Sequence, residues 1–221
     1  MKNINLYFIR HGETEWNLKN WMQGIQDSPL TDKGISGAKI TGRSLSNIPF
    51  LKAYSSDLTR AVHTRDYIVE QLTNSPDVDI HKGLREMDFG IWEGVSIDEL
   101  HQDKEFHHYM NVPASYNHSL VQGEGFMDVL TRTQQALDEI VASVSAQDSN
   151  ILIVTHGTLL RLLLCVINGG DWHKHRTQEY FPKPFNTSIS LVNYQKSPEQ
   201  EKGTYSLVYY NDVSHLSNTG N

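Results

Sequence analysis

The sequence predicts an α/β fold with a mostly parallel central sheet. Two short and nearly continuous apolar runs, residues 4–9 and 151–154, are typical of strands that are covered by helices on both faces. Amphipathic helical patterns lie between and after these two runs. Strands that alternate with helices favour parallel pairing, because each helix carries the chain back across the sheet.

The individual elements follow from local signals. Thr31-Asp32 and Ser56-Asp57 are residue pairs that commonly begin helices, and an apolar stripe follows each pair. The predicted helices cover residues 31–45, 56–72, 126–144 and 158–167. Further strands are predicted at residues 53–55, 188–193 and 205–210.

The domain organisation is expected to be simple. A chain of 221 residues is long enough for one domain with a full core, which we place at residues 1–216. Residues 101–125 show no firm periodicity and contain many His, Tyr and Asn residues, which favours a small cap insertion over a site. Residues 217–221 are small and polar and are expected to form a disordered tail.

Charge and composition exclude several classes of protein. A formal net charge of -7 without a Lys/Arg cluster argues against nucleic-acid and anionic-membrane partners. The single cysteine, Cys165, excludes an internal disulfide framework and a cysteine-rich zinc site. The longest apolar stretch, residues 151–167, is interrupted by polar residues, and we expect neither a membrane span nor a secretion signal. The expected location is the cytoplasm, and the expected partner is a small molecule.

Three predicted strands end next to chemically active residues. The first apolar run is followed by Arg10, His11 and a glycine, and residues 151–154 are followed by a threonine, His156 and a second glycine. A third strand ends shortly before Arg60. The carboxyl ends of parallel strands share one edge of a sheet, which is where such folds bind ligands. Two guanidinium groups and two imidazoles at this edge predict an anion site that suits phosphate oxygens.

These residues lie within longer motifs that follow one another along nearly the whole chain. The motifs are residues 6–17 (LYFIRHGETEWN), Gln23-Gly24, 27–31 (DSPLT), Gly34, 54–61 (YSSDLTRA), 84–90 (LREMDFG), 154–157 (VTHG) and 211–216 (NDVSHL). Together they resemble the histidine phosphatase (phosphoglycerate mutase-like) superfamily. The resemblance implies a three-layer sandwich, with helices on both sides of the sheet and a small cap insertion.

The resemblance also implies a role for each matching residue. His11 would attack phosphorus and become phosphohistidine, and Glu86 would act as general acid and then as general base. The catalytic set would be completed by Arg10, Arg60 and His156. The implied phosphate-binding residues are Arg10, Asn17, Gln23, Gly24, Arg60, His156 and Gly157. Neither a metal ion nor a cofactor is implied.

Two activities of this superfamily compete as interpretations. A mutase must retain a doubly anionic product, so it needs cations beyond the phosphate clamp, and residues 83–128 offer only Arg85 and Lys104. Mutases of the superfamily carry Glu-Arg-x-Tyr-Gly after the acid residue, whereas this chain has Glu-Met-Asp-Phe-Gly at 86–90. We therefore predict a metal-independent phosphatase that hydrolyses monoesters of small metabolites. A cofactor-dependent phosphoglycerate mutase is the alternative.

A third interpretation, a non-catalytic protein that binds phospholigands, is weakened because no residue of the implied catalytic set is missing. The aromatic residues Trp92, Phe106, Tyr109 and Tyr116 leave two interpretations equally open. They could contact an apolar or ring-bearing alcohol, or they could simply pack the cap. Arg65 stands where the superfamily often has alanine, and the sequence gives no functional reason for it.

Overall fold

A six-stranded sheet runs through the centre of the protein. The computed structural model describes residues 1–176 and 181–217. The strands are β1 Lys2–Arg10, β2 Phe50–Ser55, β3 Asp77–Ile80, β4 Asp148–Thr155, β5 Ile189–Lys196 and β6 Thr204–Asp212. They lie in the order β3, β2, β4, β1, β5, β6. The first four pair in parallel, and β5 is antiparallel to both of its neighbours. The predicted α/β fold with a mostly parallel sheet is confirmed.

Helices cover both faces of this sheet. They are α1 Glu15–Leu18, α2 Asp32–Ser44, α3 Thr59–Val69, α4 Ile97–Leu100, α5 Lys104–Asn111, α6 Phe126–Ser143, α7 Gly157–Ile167 and α8 Ser214–Ser217. The helices α2 and α3 pack on one face, and α6 and α7 pack on the other. Along β4, Ile151 and Ile153 face the second layer, while Leu152 and Val154 face the first. This alternation buries every residue of the run and confirms the three-layer sandwich.

The register of the sheet places the two histidine motifs side by side. In the parallel pair of β1 and β4, Arg10 lies opposite Thr155. The His11 amide continues the ladder by donating to the Thr155 carbonyl at 2.9 Å. On the other side of β4, the Ser56 amide donates to the Val154 carbonyl at 3.1 Å. The ends of β1, β4 and β2 therefore meet at one edge of the sheet.

Strand β3 and the start of helix α3 are among the elements that differ from the sequence prediction. Strand β3 was not predicted, because its four residues are all exposed and it forms a short edge strand without an apolar face. Helix α3 begins at Thr59 rather than at Ser56-Asp57. Ser56 bonds to His156 and Asp57 pairs with Arg85, so both residues remain in the loop before the helix.

Arg65 receives a structural role from its contacts. Its Nη1 donates to Ser55 Oγ at 3.1 Å and to the Asp79 carbonyl at 2.8 Å. Its Nη2 pairs with Asp66 at 2.8 Å. The buried guanidinium thus ties α3 to the ends of β2 and β3.

The cap region is more regular than its sequence indicates. Residues 101–125 contain α5 and two short 3₁₀ segments, and Asp103 begins α5 by accepting bonds from the backbone amides of Glu105 and Phe106. Trp92, Phe106 and Tyr109 are almost fully buried and pack against one another. The aromatic residues therefore pack the cap, and two of them also border the cleft that α5 covers. Of the predicted tail, position 217 ends α8, and 218–221 lie outside the described residues.

Candidate active site

A cleft opens at the edge where β1, β4 and β2 end. Its volume is about 190 Å³. Its walls include Arg10, His11, Asn17, Gln23, Glu86 and Gly157, together with the aromatic residues Phe89, Phe106 and Tyr109. Arg60 and His156 lie beneath it and are almost completely buried. A larger groove of about 620 Å³ lies between α2 and α8, and none of the predicted site residues lines it.

The imidazole of His11 is held in the form that a nucleophile requires. Its Nδ1 lies 2.8 Å from the Gly12 carbonyl, and because a carbonyl can only accept, Nδ1 carries the proton. This leaves Nε2 with a free lone pair. Burial, and then the charges of Arg60 and Arg10, hold the pKa of His11 well below its ordinary value of 6.5. The ring is therefore neutral at physiological pH.

The loop after β1 is fixed by contacts with two helices. The Gly12 amide donates to Thr64 Oγ1 at 2.9 Å, and this hydroxyl donates to the Arg60 carbonyl at 2.6 Å. A Cβ atom on Gly12 would lie only 2.6 Å from the Gly34 carbonyl oxygen at the start of α2. Only glycine lets the loop approach α2 this closely, so the position of His11 depends on Gly12.

Two guanidinium groups are anchored by backbone carbonyls. Arg10 Nη1 donates to the Pro184 carbonyl at 2.7 Å. Arg60 donates to Gly24 at 2.6 Å and to Asp27 Oδ1 at 3.0 Å. Burial lowers the pKa of Arg10 to about 10 and also lowers the pKa of Arg60, so Arg10 keeps its positive charge at neutral pH.

His156 is oriented by a serine hydroxyl. Ser56 Oγ accepts from the Leu58 amide at 3.3 Å and lies 2.6 Å from His156 Nε2. We infer that this hydroxyl donates its proton to Nε2, which places the ring proton on Nδ1. Burial, and then the charge of Arg60, hold the pKa of His156 well below 6.5. Its ring lies 5.1 Å from that of His11, centre to centre.

Three buried N–H groups of the site lack a hydrogen-bond partner among the described residues. Within residues 1–176 and 181–217, Arg10 Nε, Arg60 Nε and His156 Nδ1 have no hydrogen-bond partner. A buried donor without a protein partner is costly unless water or a ligand accepts from it. Three such donors around one histidine form a site that suits the oxygens of a phosphoryl group.

Glu86 occupies the N-terminus of α7. Its Oε1 accepts from the Leu159 amide at 3.0 Å and from the Met87 amide at 2.9 Å. Its Oε2 accepts from the Thr158 amide at 2.8 Å. These three bonds fix the carboxylate next to the strand end that carries His156.

Three further predicted site residues, Gln23, Gly24 and Gly157, each make a different kind of contact. Gln23 uses both ends of its amide, since it donates to Ser28 Oγ at 3.0 Å and accepts from the Thr14 hydroxyl at 2.8 Å. Gly24 acts through the carbonyl that holds Arg60. Gly157 packs against the Arg10 guanidinium, only 3.2 Å from Arg10 Nε to the position of an added Cβ. Gly24 thus holds Arg60 beneath the cleft, whereas Gln23 lines the cleft and is itself fixed by Thr14 and Ser28.

Sequence reasoning missed two residues that position the site. Asn186 donates to the His11 carbonyl at 2.9 Å and to Asn17 Oδ1 at 3.1 Å. Arg132 donates to the Glu86 carbonyl at 2.9 Å, and its guanidinium pairs with both carboxylate oxygens of Glu124. Asn186 and Arg132 both lie outside the motifs on which the family resemblance rests.

The cations that line the cleft come from outside residues 83–128, the range in which the sequence offers only Arg85 and Lys104. Arg85 is paired with Asp57 and does not line the cleft, but Arg161, Arg176 and Lys183 do. They come from α7 and from the segment that follows it, which the cation count over residues 83–128 did not include. The position of Arg161, one helical turn after Gly157, was the available signal.

The described residues contain neither a cluster of metal ligands nor a membrane-spanning helix. In the ranges 1–176 and 181–217, no group of three or more His, Cys, Asp or Glu side chains is arranged to hold a metal ion. No helix in the described part of the chain has the length and apolarity that crossing a membrane requires.

Comparisons with known proteins agree with this geometry. The sequence profile of the histidine phosphatase superfamily (branch 1) matches residues 6–206. A protein of Erwinia tasmaniensis named "Probable phosphoglycerate mutase GpmB" is 32% identical over 216 residues, which cover 98% of this chain and 96% of the relative. The structure of YhfR from Bacillus stearothermophilus matches with a TM-score of 0.85 at 32% identity, over 96% of this chain and 99% of that one. The alpha-ribazole phosphatase of Shigella flexneri matches with a TM-score of 0.76 at 26% identity, over 94% and 96% of the two chains. From the extent of these matches, the chain belongs to branch 1 of the histidine phosphatase superfamily.

Proposed function

We propose that the protein is a phosphatase that hydrolyses phosphate monoesters of small metabolites through phosphohistidine at His11. The observation that carries the proposal is the set of three unpartnered N–H groups, on Arg10, Arg60 and His156, around a neutral histidine. Phosphoryl transfer depends mainly on positioning and on stabilising the charge of the equatorial oxygens. Fixed donors in a buried site supply both.

In the first step, the Nε2 lone pair of His11 attacks phosphorus while the ester P–O bond breaks. Glu86 gives its proton to the departing alcohol oxygen. The Gly12 carbonyl, which accepts from Nδ1, stabilises the positive charge that develops on the ring. Asn17 and the backbone at Gly157 complete the contacts to the phosphoryl oxygens.

In the second step, a water molecule attacks the phosphohistidine. Glu86 takes the proton from this water, the P–N bond breaks, and its electron pair returns to His11 Nε2. Inorganic phosphate leaves, and the site regains its starting state. All of these steps use residues of this chain, which we propose to act as one cytoplasmic domain over residues 1–216.

A phosphoglycerate mutase is the second candidate. Arg161, Arg176 and Lys183 at the cleft support it, because a mutase must hold a second anionic group. The GpmB relative also carries the mutase name. We favour hydrolysis because Met87 stands where the superfamily's mutases carry arginine directly after the acid residue.

The test compares phosphate release with phosphoryl transfer. We expect release of inorganic phosphate from members of a monoester panel in EDTA, and little isomerisation of 3-phosphoglycerate primed with 2,3-bisphosphoglycerate. His11→Ala should abolish turnover without loss of folding. His63→Ala, which removes an exposed histidine on α3, is the matched control and should stay active. Isomerisation with little release would replace the proposal by the mutase, and activity in His11→Ala would refute the nucleophile.

A further inference from the structure

The cleft contains more positive charge than one phosphoryl group needs. Of the described residues that line it, Arg10, Arg161, Arg176 and Lys183 have basic side chains, and Glu86 is the one residue with an acidic side chain. Arg10 and Arg60 form the phosphate clamp, in which Asp27 already pairs with Arg60. Three further cations, Arg161, Arg176 and Lys183, line the cleft outside this clamp, and we call them the cationic wall. The protein as a whole has a formal net charge of -7.

Arg161 organises this wall. Its side chain is buried, and it donates to the backbone carbonyls of Phe181 and Arg176, the latter at 2.6 Å. These bonds tie the two segments that carry Arg176 and Lys183 to helix α7. The wall is therefore held by the same helix whose N-terminus holds Glu86.

Arg176 lies across the cap. Its guanidinium carbon is 4.2 Å from the centre of the Tyr109 ring, and its Nε is buried without a partner among residues 1–176 and 181–217. Its Nη2 donates to Met110 Sδ at 3.0 Å, a weak acceptor, and stacking on the ring face leaves the Nε edge for an anion. Since α5 carries Tyr109, the cap and this arginine form one side of the cleft.

Lys183 lies next to the phosphate clamp, because the carbonyl of the adjacent Pro184 accepts from Arg10. Burial of its amine, and then the charges of Arg10, Arg176 and Arg161, lower the pKa of Lys183 to about 8, although Glu86 acts in the opposite direction. In the described part of the chain, no carboxylate forms an ion pair with Arg161, Arg176 or Lys183. Cations that repel one another in a cleft are stabilised when an anion binds between them.

We propose that the alcohol portion of the substrate carries a second anionic group, a carboxylate or a second phosphoryl group, and that Arg176 and Lys183 bind it. This inference rests on the proposed phosphatase function and narrows its substrate class. Arg161 acts through the other two by fixing their segments. The aromatic side chains of the cap then cover the carbon chain between the two anionic groups.

The experiment measures kcat/KM for matched pairs of monoesters. Short phosphorylated hydroxy acids and short diol bisphosphates are compared with neutral diol monophosphates of the same length. Because a charge-assisted hydrogen bond contributes about 1.5–3 kcal/mol, the anionic member of a pair should be preferred by roughly ten- to a hundredfold. The carboxylate and bisphosphate series distinguish the two forms of the second anion.

Variants connect this preference to the cleft. Lys183→Met and Arg176→Met should each reduce the preference for the anionic member by roughly tenfold. Lys202→Met, which removes an exposed charge from the turn between β5 and β6, should leave the preference intact. Equal kcat/KM within every pair, or an unchanged preference in both cleft variants, would overturn the inference.

Hydrolysis of p-nitrophenyl phosphate separates this inference from the proposed function, because that substrate has no second anionic group. If the wild-type protein hydrolyses p-nitrophenyl phosphate but shows no preference within the matched pairs, the phosphatase proposal is supported and the second-anion site is refuted. If no ester is hydrolysed, the dissociation constants of the same pairs for the His11→Ala protein, measured by calorimetry, still test the inference. Tighter binding of the anionic members would support it, and equal binding would refute it.

Discussion

At the scale of the residue, the site depends on hydrogen bonds that set which ring nitrogen carries a proton. The Gly12 carbonyl places the proton of His11 on Nδ1, and Ser56 places that of His156 on Nδ1 as well. One histidine then presents a lone pair and the other presents a donor, although burial and nearby arginines depress both pKa values. A histidine side chain thus offers a lone pair at position 11 and a hydrogen-bond donor at position 156, because the neighbouring groups differ.

Glu86→Gln tests the acid at this scale. An amide keeps the size of the side chain but cannot donate a proton to a leaving alcohol. We expect kcat for alkyl phosphates to fall by about 10²–10⁴-fold, and kcat for p-nitrophenyl phosphate to fall far less, because nitrophenolate hardly needs a proton.

The matched control for this variant is Glu70→Gln, which changes an exposed carboxylate after α3 and should leave both rates unaltered. Equal losses of Glu86→Gln on both kinds of ester would assign the acid to another carboxylate.

At the scale of the element, the segment that carries Glu86 is braced from α6. Arg132 donates to the carbonyls of Gly83, Arg85 and Glu86, and Glu124 accepts from the Asp88 amide while it pairs with Arg132. The segment has no regular secondary structure between Arg85 and Phe89, so its shape depends on this brace.

Arg132→Ala should therefore resemble a mild form of Glu86→Gln. Misplacing the carboxylate by a fraction of an ångström should lower kcat for alkyl phosphates by roughly tenfold, with a smaller effect on p-nitrophenyl phosphate. Arg43→Ala on the exposed side of α2 is the control. A loss that is the same for both esters would mean that Arg132 only supports the fold.

The elements also show how far the sequence could predict this protein. Strands β1 and β4 were recognised because their runs are largely apolar and mostly buried, and the ends of these strands bring Arg10, His11 and His156 to one edge of the sheet. Strand β3 was missed because it has no buried face. Arg176 and Lys183 were missed for another reason. They reach the cleft through loop segments whose path depends on the bonds of Arg161, which no local pattern encodes.

At the scale of the whole molecule, an acidic protein keeps three neutral histidines in its interior. His11, His156 and His175 are almost fully buried, and His175 packs against Phe126. Burial, and then Arg176, lower the pKa of His175 to about 3. In the unfolded chain these side chains titrate near their ordinary pKa of 6.5.

Stability should therefore depend on pH in a defined direction. Below pH 6.5 the unfolded chain binds protons that the folded protein does not. The free energy of unfolding therefore has its full value above this pH and decreases as the pH falls below it. Each histidine contributes up to about 1.4 kcal/mol per pH unit. Urea unfolding at several pH values between neutrality and mild acid measures the slope of the free energy of unfolding against pH. His175→Gln should reduce that slope, and a flat profile in the wild type would contradict the argument.

The position of β4 between β1 and β2 has a consequence for synthesis on the ribosome. The strand that carries His11 at its end is made first, but its parallel neighbour is made about 140 residues later. During that interval the emerging chain holds β1 and β2 without the strand that lies between them, and an apolar edge stays open to other chains. For most of its synthesis the nascent chain thus contains His11 but not the strand that completes the active site. We expect chaperone binding to protect the chain most during this interval.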